Sequence, residues 1–507
     1  MKSIAILGGG PAGLASAKAA LEMGLQPTVF EREEDIGGIW HPKSGKTWRT
    51  MRTNVSRWCM GFSDYLWPNG ADIYPTCHDV YQYLLSYATQ FGLLSHMRLG
   101  CCVTHVERTG QRWAVTWKQR KTQAQQHEEF DFVIVATGIL SVPWQPKIDG
   151  EEQFRGMTLH SARYKDAAAF RGKRVVVVGN SFSGAEIAAD VCQQAAQVTN
   201  LTRRPYWIMP RYVHAPDPVP YDFVLMTRAG RLQAGAPEIR HTTAAENCRV
   251  HAALAQHCAG QLSHPVLRID HSMWHQPPHL TISDRYVELV RSGQLSIVQG
   301  EVAAFEPECL RLKGGKTLDA DVVIFCTGYR TDLSFLDAAV TQGLEFEPED
   351  GFQPILLHKC TFNPNVPAMA FVGMYKVPTF AVIELQARWV SAIFANQIQA
   401  PDPAAMQTYI SEERELRCAV SKPQFPHGDL VGLPDSLAAE VGVCPDLNAI
   451  AEQSPELYER LWSGPLMPAH YRLSGLGAMT ASAVSAILAV EGKCGGGDSL
   501  TKPVANV

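Results

Sequence analysis

The 507-residue sequence predicts an α/β fold of two doubly wound units, one inserted into the other, and three observations carry that expectation. Residues 4–13 and 175–184 each run from an apolar strand through a glycine-bearing turn into a helical stretch. Residues 132–138 and 322–328 repeat a second pattern, an apolar strand that ends in Thr-Gly. The composition is that of a folded multi-domain chain: 46% hydrophobic, 19% charged, with 40 Gly and 32 Pro scattered without a period. Lys and Arg total 45 against 50 Asp and Glu, so no basic surplus exists to drive binding to nucleic acid.

The first unit opens with strand residues 4–7, then Gly8-Gly9-Gly10-Pro11-Ala12-Gly13, then a helix over 14–23. In such a G-x-G-x-x-G, Gly8 permits the tight turn and Gly10 lets backbone approach a pyrophosphate. Gly13 allows close packing, while the helix N-terminus offers free N–H groups and positive dipole. A second strand over 28–30 ends in Glu31, an acid placed to accept hydrogen bonds from a ribose diol. Strand, turn, helix, strand and acid in this order specify far more than glycines alone.

The second unit begins with the valine strand 175–178, followed by Gly179-Asn180-Ser181-Phe182-Ser183-Gly184 and a helix over 185–192. Ser181 replaces the middle glycine, which restricts backbone approach. The strand 198–202 ends in Arg203 and Arg204 instead of an acid. An acid there would repel a 2′-phosphate, whereas guanidinium groups pair with it. Glu31 therefore suits FAD, and the arginine pair suits NADPH. The expected architecture is two Rossmann-like dinucleotide-binding domains, the NADP domain inserted into a discontinuous FAD domain. Residues 1–152 form the first part of the FAD domain and 153–328 the NADPH domain, with an extra segment near 211–279. Residues 329–507 complete the FAD domain and add C-terminal helices.

The 13 cysteines are odd in number, and none stands in a C-x-x-C pair. That argues for reduced thiols in a cytoplasmic setting and against a disulfide framework, a zinc ribbon or a thiol-disulfide reductase. The apolar run 4–7 is too short for a signal peptide. The uncharged stretch 473–490 is rich in Ala, Ser and Gly. It is expected to be a terminal helix burying Met479, Val484, Ile487 and Leu488 on one side, not a transmembrane span. His271 and His275 have ligand-like i, i+4 spacing but no third ligand, so with His279 they read as surface or loop residues and no metal site is expected.

Residues 154–164, Phe-Arg-Gly-Met-Thr-Leu-His-Ser-Ala-Arg-Tyr, fit F-x-G-x-x-x-H-x-x-x-Y at every defined position. In this the chain resembles the flavin-containing monooxygenases. Related Baeyer–Villiger enzymes carry Trp at the last position, so Tyr164 favours the former branch. Gly37-Gly38-Ile39-Trp40 resembles the family's G-G-x-W beside the flavin, and Thr53-Asn54-Val55-Ser56-Arg57 its T-N-x-S-K segment, with Arg57 in place of Lys. Glu384-x-Gln386-Ala387-Arg388-Trp389, Gly464-Pro465 and Tyr471-Arg472-Leu473 match later segments, and 220–228 is similar to the extra segment of animal-type members.

The resemblance implies that NADPH reduces FAD and that O2 then forms a C4a-hydroperoxyflavin, which passes one oxygen atom to a sulfide or amine. It adds Thr53, Val103, Thr137, Gly138, Tyr164, Thr327, Gly328 and Gln386 to the cofactor-contacting set. Gln386 would stand near the start of a helix aimed at the flavin. The motif around His160 would link domains without transferring protons. Asn54, whose amide both donates and accepts, is the candidate catalytic residue. The alternatives are Baeyer–Villiger oxygenation of ketones by the same machinery, a two-dinucleotide reductase lacking its paired cysteines, and a non-catalytic redox-sensing module. A homodimer and peripheral contact with a membrane stay open at this level.

Overall fold

A computed structural model describes residues 1–213, 218–233 and 243–490 of the chain. Parts of the 211–279 segment, and the chain from 491 onward with Cys494, lie outside the described residues.

The valine- and isoleucine-rich runs form two five-stranded parallel sheets. The first has the spatial order Met369–Phe371, Phe132–Val135, Ser3–Leu7, Gln26–Phe30, Met97–Arg98. The second runs Leu295–Gln299, Gln197–Thr202, Arg174–Val178, Val322–Phe325, Met157–His160. All strand pairs within both are parallel. In each sheet the strand before the glycine turn is flanked on one side by the strand that leads into Glu31 or into Arg203, and on the other by the Thr-Gly strand. Met369–Phe371, far along the chain, joins the first sheet beside Phe132–Val135.

Each unit also carries a feature the sequence did not announce. A three-stranded antiparallel meander precedes each Thr-Gly strand: Cys101–Thr109, Arg112–Gln119 and Gln125–Phe130 in the first unit, and Val302–Phe305, Cys309–Leu312 and Thr317–Asp319 in the second. The two chain crossings between units run side by side as a short antiparallel ribbon, Tyr329 opposite Pro143 and Arg330 opposite Val142.

The helix Pro11–Glu22 buries Ala12, Ala15, Ala17, Ala19 and Ala20, and these small side chains let the helix Phe380–Phe394 pack against it. The latter is buried at every residue but Ile393, so it is a central helix. Its polar members meet a buried charge network. Arg472 reaches Glu384 at 3.0 Å and Asp64 at 3.4 Å, and Lys18 reaches Asp64 and Glu22 at 2.5 Å each. Arg388 donates to the carbonyls of Tyr471 (3.0 Å) and Leu476 (2.6 Å). Burial works against the Glu384 carboxylate, yet Arg472 and Arg388 hold it below the usual carboxylate range. Burial pushes Arg388 down to about 10.

The C-terminal helix spans Thr480–Leu488 and corrects one expectation. Met479 is 40% exposed, because it stands before the first turn. Ile487 is buried as expected, with Val484 and Leu488 half-buried beside it, and Ala483 and Ala486 complete the face against Phe223, Leu457, Leu461 and Met467. No helix among the described residues is long and apolar enough to cross a membrane. The twelve described cysteines are all free thiols, and no metal-binding cluster occurs among the described residues.

Candidate active site

The two glycine turns are built alike. Gly8 has φ +113°, and a Cβ there would lie 2.6 Å from the Ala136 carbonyl oxygen of the neighbouring Thr-Gly strand. Gly179 has φ +107°, and its Cβ would lie 2.5 Å from the Cys326 oxygen. A Cβ at Gly13 or Gly184 would stand 1.8 or 2.1 Å from the oxygen of Gly8 or Gly179. The third glycine thus makes room for the turn itself more than for a strand. Gly10 faces Gly38 across the first turn, where a Cβ on Gly38 would meet the Gly10 Cα at 2.9 Å. Gly37 N–H donates to the Gly9 carbonyl at 2.9 Å, which brings the short turn Gly38–Trp40, with Ile39, against the loop.

Both helices that follow, Pro11–Glu22 and Phe182–Val191, start without a side-chain cap at Gly10 or Ser181. Their first N–H groups face the turns, which suits an anionic pyrophosphate. Ser183 lies in the first turn of the second helix. Glu31 is buried, its two carboxylate oxygens accepting from Gly9 N–H (2.7 Å) and Glu33 N–H (2.8 Å). Burial raises its pKa against these bonds. Val103, half-buried, lies on the strand whose Cys101 N–H donates to the Glu31 carbonyl at 2.8 Å.

At the second strand end Arg203 and Arg204 are exposed. Arg204 donates to His279 Nε2 at 2.8 Å. Burial, then Arg204, pushes His279 down to about 4, so the ring is neutral and accepts. His279 lies in a loop, as expected, but is half-buried and supports Arg204; a histidine 75 residues away in the chain carries no local sign of this.

His160 joins the second sheet to the crossing. Its Nδ1 accepts from Ala162 N–H (3.1 Å), which leaves the proton on Nε2, bonded to the Gly328 carbonyl (3.0 Å). Burial lowers its pKa, so it stays neutral. Thr327 Oγ1 donates to the Trp144 carbonyl at 2.5 Å, and Trp144 N–H to Gly328 at 2.9 Å. On the first unit Thr137 is exposed next to Gly138, its hydroxyl 3.6 Å from Met374 Sδ.

Two residues expected to contact a cofactor have their polar atoms engaged within the protein. Tyr164 is 1% exposed, its hydroxyl donates to Asp190 at 2.5 Å, and its ring stacks on Phe170. It is a core residue of the second unit, because Asp190 on the buried side of Phe182–Val191 requires a donor. Gln386 lies inside the helix Phe380–Phe394, not at its start, which is capped by Thr379. Its Oε1 accepts from Gly373 N–H (2.9 Å), and its Nε2 donates to Cys360 O (2.9 Å) and Thr361 Oγ1 (3.0 Å). Gly373 in turn abuts Ala12, so Gln386 fastens a loop against the first glycine-turn helix.

Asn54 sits half-buried on the segment 53–57, and its side chain makes no hydrogen bond among the described residues. It caps no turn. Its neighbour Thr53 is 1% exposed, and its Oγ1 is buried without a partner there. The segment is held by residues that sequence reading passed over: Arg211 donates from Nε to the Thr53 carbonyl (3.0 Å), and Asp222 accepts from Ser56 N–H (3.2 Å).

Comparison with known proteins agrees with this architecture. Residues 1–494 match the flavin-binding monooxygenase-like family. Flavin-containing monooxygenase 5 of Oryctolagus cuniculus is 32% identical, covering 99% of this chain and 93% of its own length. Dimethylaniline monooxygenase (N-oxide-forming) 2 of Cavia porcellus is 29% identical over 94% of this chain and 89% of its own. Among solved structures, S-allyl-L-cysteine S-oxygenase from Allium sativum shares the fold at TM-score 0.60 and 22% identity, over 91% of this chain and 95% of that one. Cyclohexanone monooxygenase from Rhodococcus bound to NADP+ does so at 0.65 and 18%, over 87% and 97%. The chain thus belongs to the flavin-binding monooxygenase-like family and is an oxidoreductase that works with FAD and NADPH.

Proposed function

We propose that the protein passes one oxygen atom of O2 to a soft nucleophilic sulfur or nitrogen of a small molecule, at a site centred on Asn54. Bound FAD, reduced by NADPH, supplies the oxygen-activating chemistry. The chain's own residues hold, orient and exclude water. The first unit, 1–152 with 329–507, would take FAD: its glycine turn and the uncapped Pro11–Glu22 helix receive the pyrophosphate, and Glu31 keeps lone pairs for the ribose. The inserted unit, 153–328, would take NADPH, with Arg203 and Arg204 on the 2′-phosphate.

The observation that carries the reading is the uncommitted amide of Asn54 on a segment fixed at both ends. An amide that both donates and accepts can hold a developing oxygen leaving group and the carboxamide of a nicotinamide together. Asn54→Ala and Asn54→Asp are expected to bind FAD normally yet release hydrogen peroxide, with product per NADPH lowered about tenfold to a hundredfold. The measurement is product, peroxide and NADPH in one assay with a thioether, a tertiary amine and a ketone. Normal coupling in both variants removes Asn54 from the site, and turnover of the ketone alone replaces the reading by Baeyer–Villiger oxygenation.

Neutralising both arginines, Arg203→Gln with Arg204→Gln, tests the coenzyme assignment. Hydrogen bonds to charged groups contribute about 1.5–3 kcal/mol each, so KM for NADPH should rise about tenfold or more. KM for NADH should change little. Equal shifts for the two coenzymes would show that no 2′-phosphate is bound there.

A further inference from the structure

We infer that Arg211 and Asp222 are the two jaws of a clamp that positions Asn54; this rests on the Asn54 reading above. The jaws grip the residues on either side of Asn54 and leave its amide free. On one side Arg211, with its side chain 5% exposed, donates from Nε to the Thr53 carbonyl at 3.0 Å. Its guanidinium is itself held by Glu186 and Asp284, each at 2.9 Å, and its N–H donates to Asp284 at 2.7 Å. Glu186 lies on the helix Phe182–Val191 that follows the second glycine turn. The jaw is thus anchored to the inserted unit while it bites the first.

On the other side Asp222 is wholly buried, and among the described residues no lysine or arginine bonds to it. Its carboxyl accepts from both the N–H (3.2 Å) and the hydroxyl of Ser56, from Cys59 Sγ (3.3 Å) and from the Tyr74 hydroxyl (3.4 Å). Tyr74 has one hydroxyl proton, shared chiefly with the Arg211 carbonyl and only weakly with Asp222, so one phenol ties the two jaws together. A buried carboxyl without a cation is unfavourable unless several donors satisfy it. Here those donors come from the Asn54 segment and Tyr74. Phe223, next in the chain, packs under the C-terminal helices and fixes the jaw from behind.

Fixing both flanks restricts the Asn54 backbone to one placement between the units. Misplacement by about 1 Å can lower a rate a hundredfold without removing any reacting group. Arg211 and Asp222 touch neither substrate nor cofactor in this scheme; they act through Asn54.

The test uses the full-length holoenzyme. Asp222→Ala should bind FAD but release peroxide, with product per NADPH down about tenfold. Asp222→Asn keeps an oxygen for Ser56 and should recover most of the coupling. Arg211→Lys, which cannot serve Thr53, Glu186 and Asp284 with one planar fork, should also uncouple. Combining Asp222→Ala with Asn54→Ala should add nothing to Asn54→Ala alone, because a positioning residue acts only through what it positions. Normal coupling in Asp222→Ala, beside a leaking Asn54→Ala, overturns the clamp and leaves the proposed function standing. Normal coupling in Asn54→Ala removes the site reading on which the clamp rests. Should Asp222→Ala fail to retain FAD, Arg211→Lys decides: coupling at the native level overturns the clamp, and peroxide release at full FAD content supports it.

Discussion

Gly13→Ala is expected to abolish FAD binding while Gly184→Ala keeps FAD and loses reduction by NADPH. The two new methyl groups would stand 1.8 Å and 2.1 Å from backbone oxygens of Gly8 and Gly179, distances that no rotamer relieves. Each turn must therefore move away from its helix. Overpacking of this kind costs about 1–3 kcal/mol. The displaced N–H groups also lose charge-assisted bonds to the pyrophosphate, about 1.5–3 kcal/mol each. Together these weaken the nucleotide by about a hundredfold or more. Flavin absorbance after gel filtration reads the first effect, and anaerobic mixing with NADPH reads the second. The pair is informative because the substitutions are chemically identical. If Gly184→Ala emptied the flavin and Gly13→Ala spared it, the assignment of the two units would be reversed.

Arg472→Met is expected to destabilise the first unit by about 3–5 kcal/mol, the usual cost of removing one partner from a buried ion pair. Arg472 serves Glu384, Asp64, Ser63 Oγ (2.8 Å) and the Gly477 carbonyl (2.9 Å), with its side chain 4% exposed. Its loss leaves Glu384 with Arg388, 4.0 Å away, as its one paired cation among the described residues, and leaves Asp64 to Lys18. Glu384→Gln in the same chain removes the stranded charge, so the double variant should be less destabilised than the two singles summed. Urea midpoints monitored by flavin fluorescence and by circular dichroism measure this. Strict additivity would mean that the network is a set of independent contacts.

The sheet strands around both glycine turns, the helices behind them and the Thr-Gly repeat were legible in the sequence to within a few residues, because each depends on neighbours only a few positions apart. The residues 154–164 were equally legible as a motif, yet their roles divided once folded. His160 bridges to Gly328 as a neutral linker, whereas Tyr164 turns inward to Asp190. A spacing pattern names the residues that matter and does not say which way a side chain faces. Gln386 shows the same limit: its placement beside the flavin was inferred from its segment, but its amide is spent on Gly373, Cys360 and Thr361. The antiparallel meanders escaped notice because strands such as Gln125–Phe130, polar and exposed at every residue but Phe130, lack a clear alternation.

The Asn54 segment was named through its resemblance to the flavin-containing monooxygenases; by itself the sequence determined that there are two glycine turns, and which of them leads on to an acid and which to arginines. These are properties of local backbone geometry and of charge sign, written in adjacent residues. Only the tertiary structure decided what holds Asn54 in place, what supports Arg204 and how the segments at 384–389 and 471–473 meet. Those ties join Arg211 to Thr53, His279 to Arg204 and Arg472 to Glu384 across long stretches of chain. Burial there makes a hydrogen bond or ion pair obligatory for each polar group, but the choice of partner is made by packing, which no spacing along the chain records.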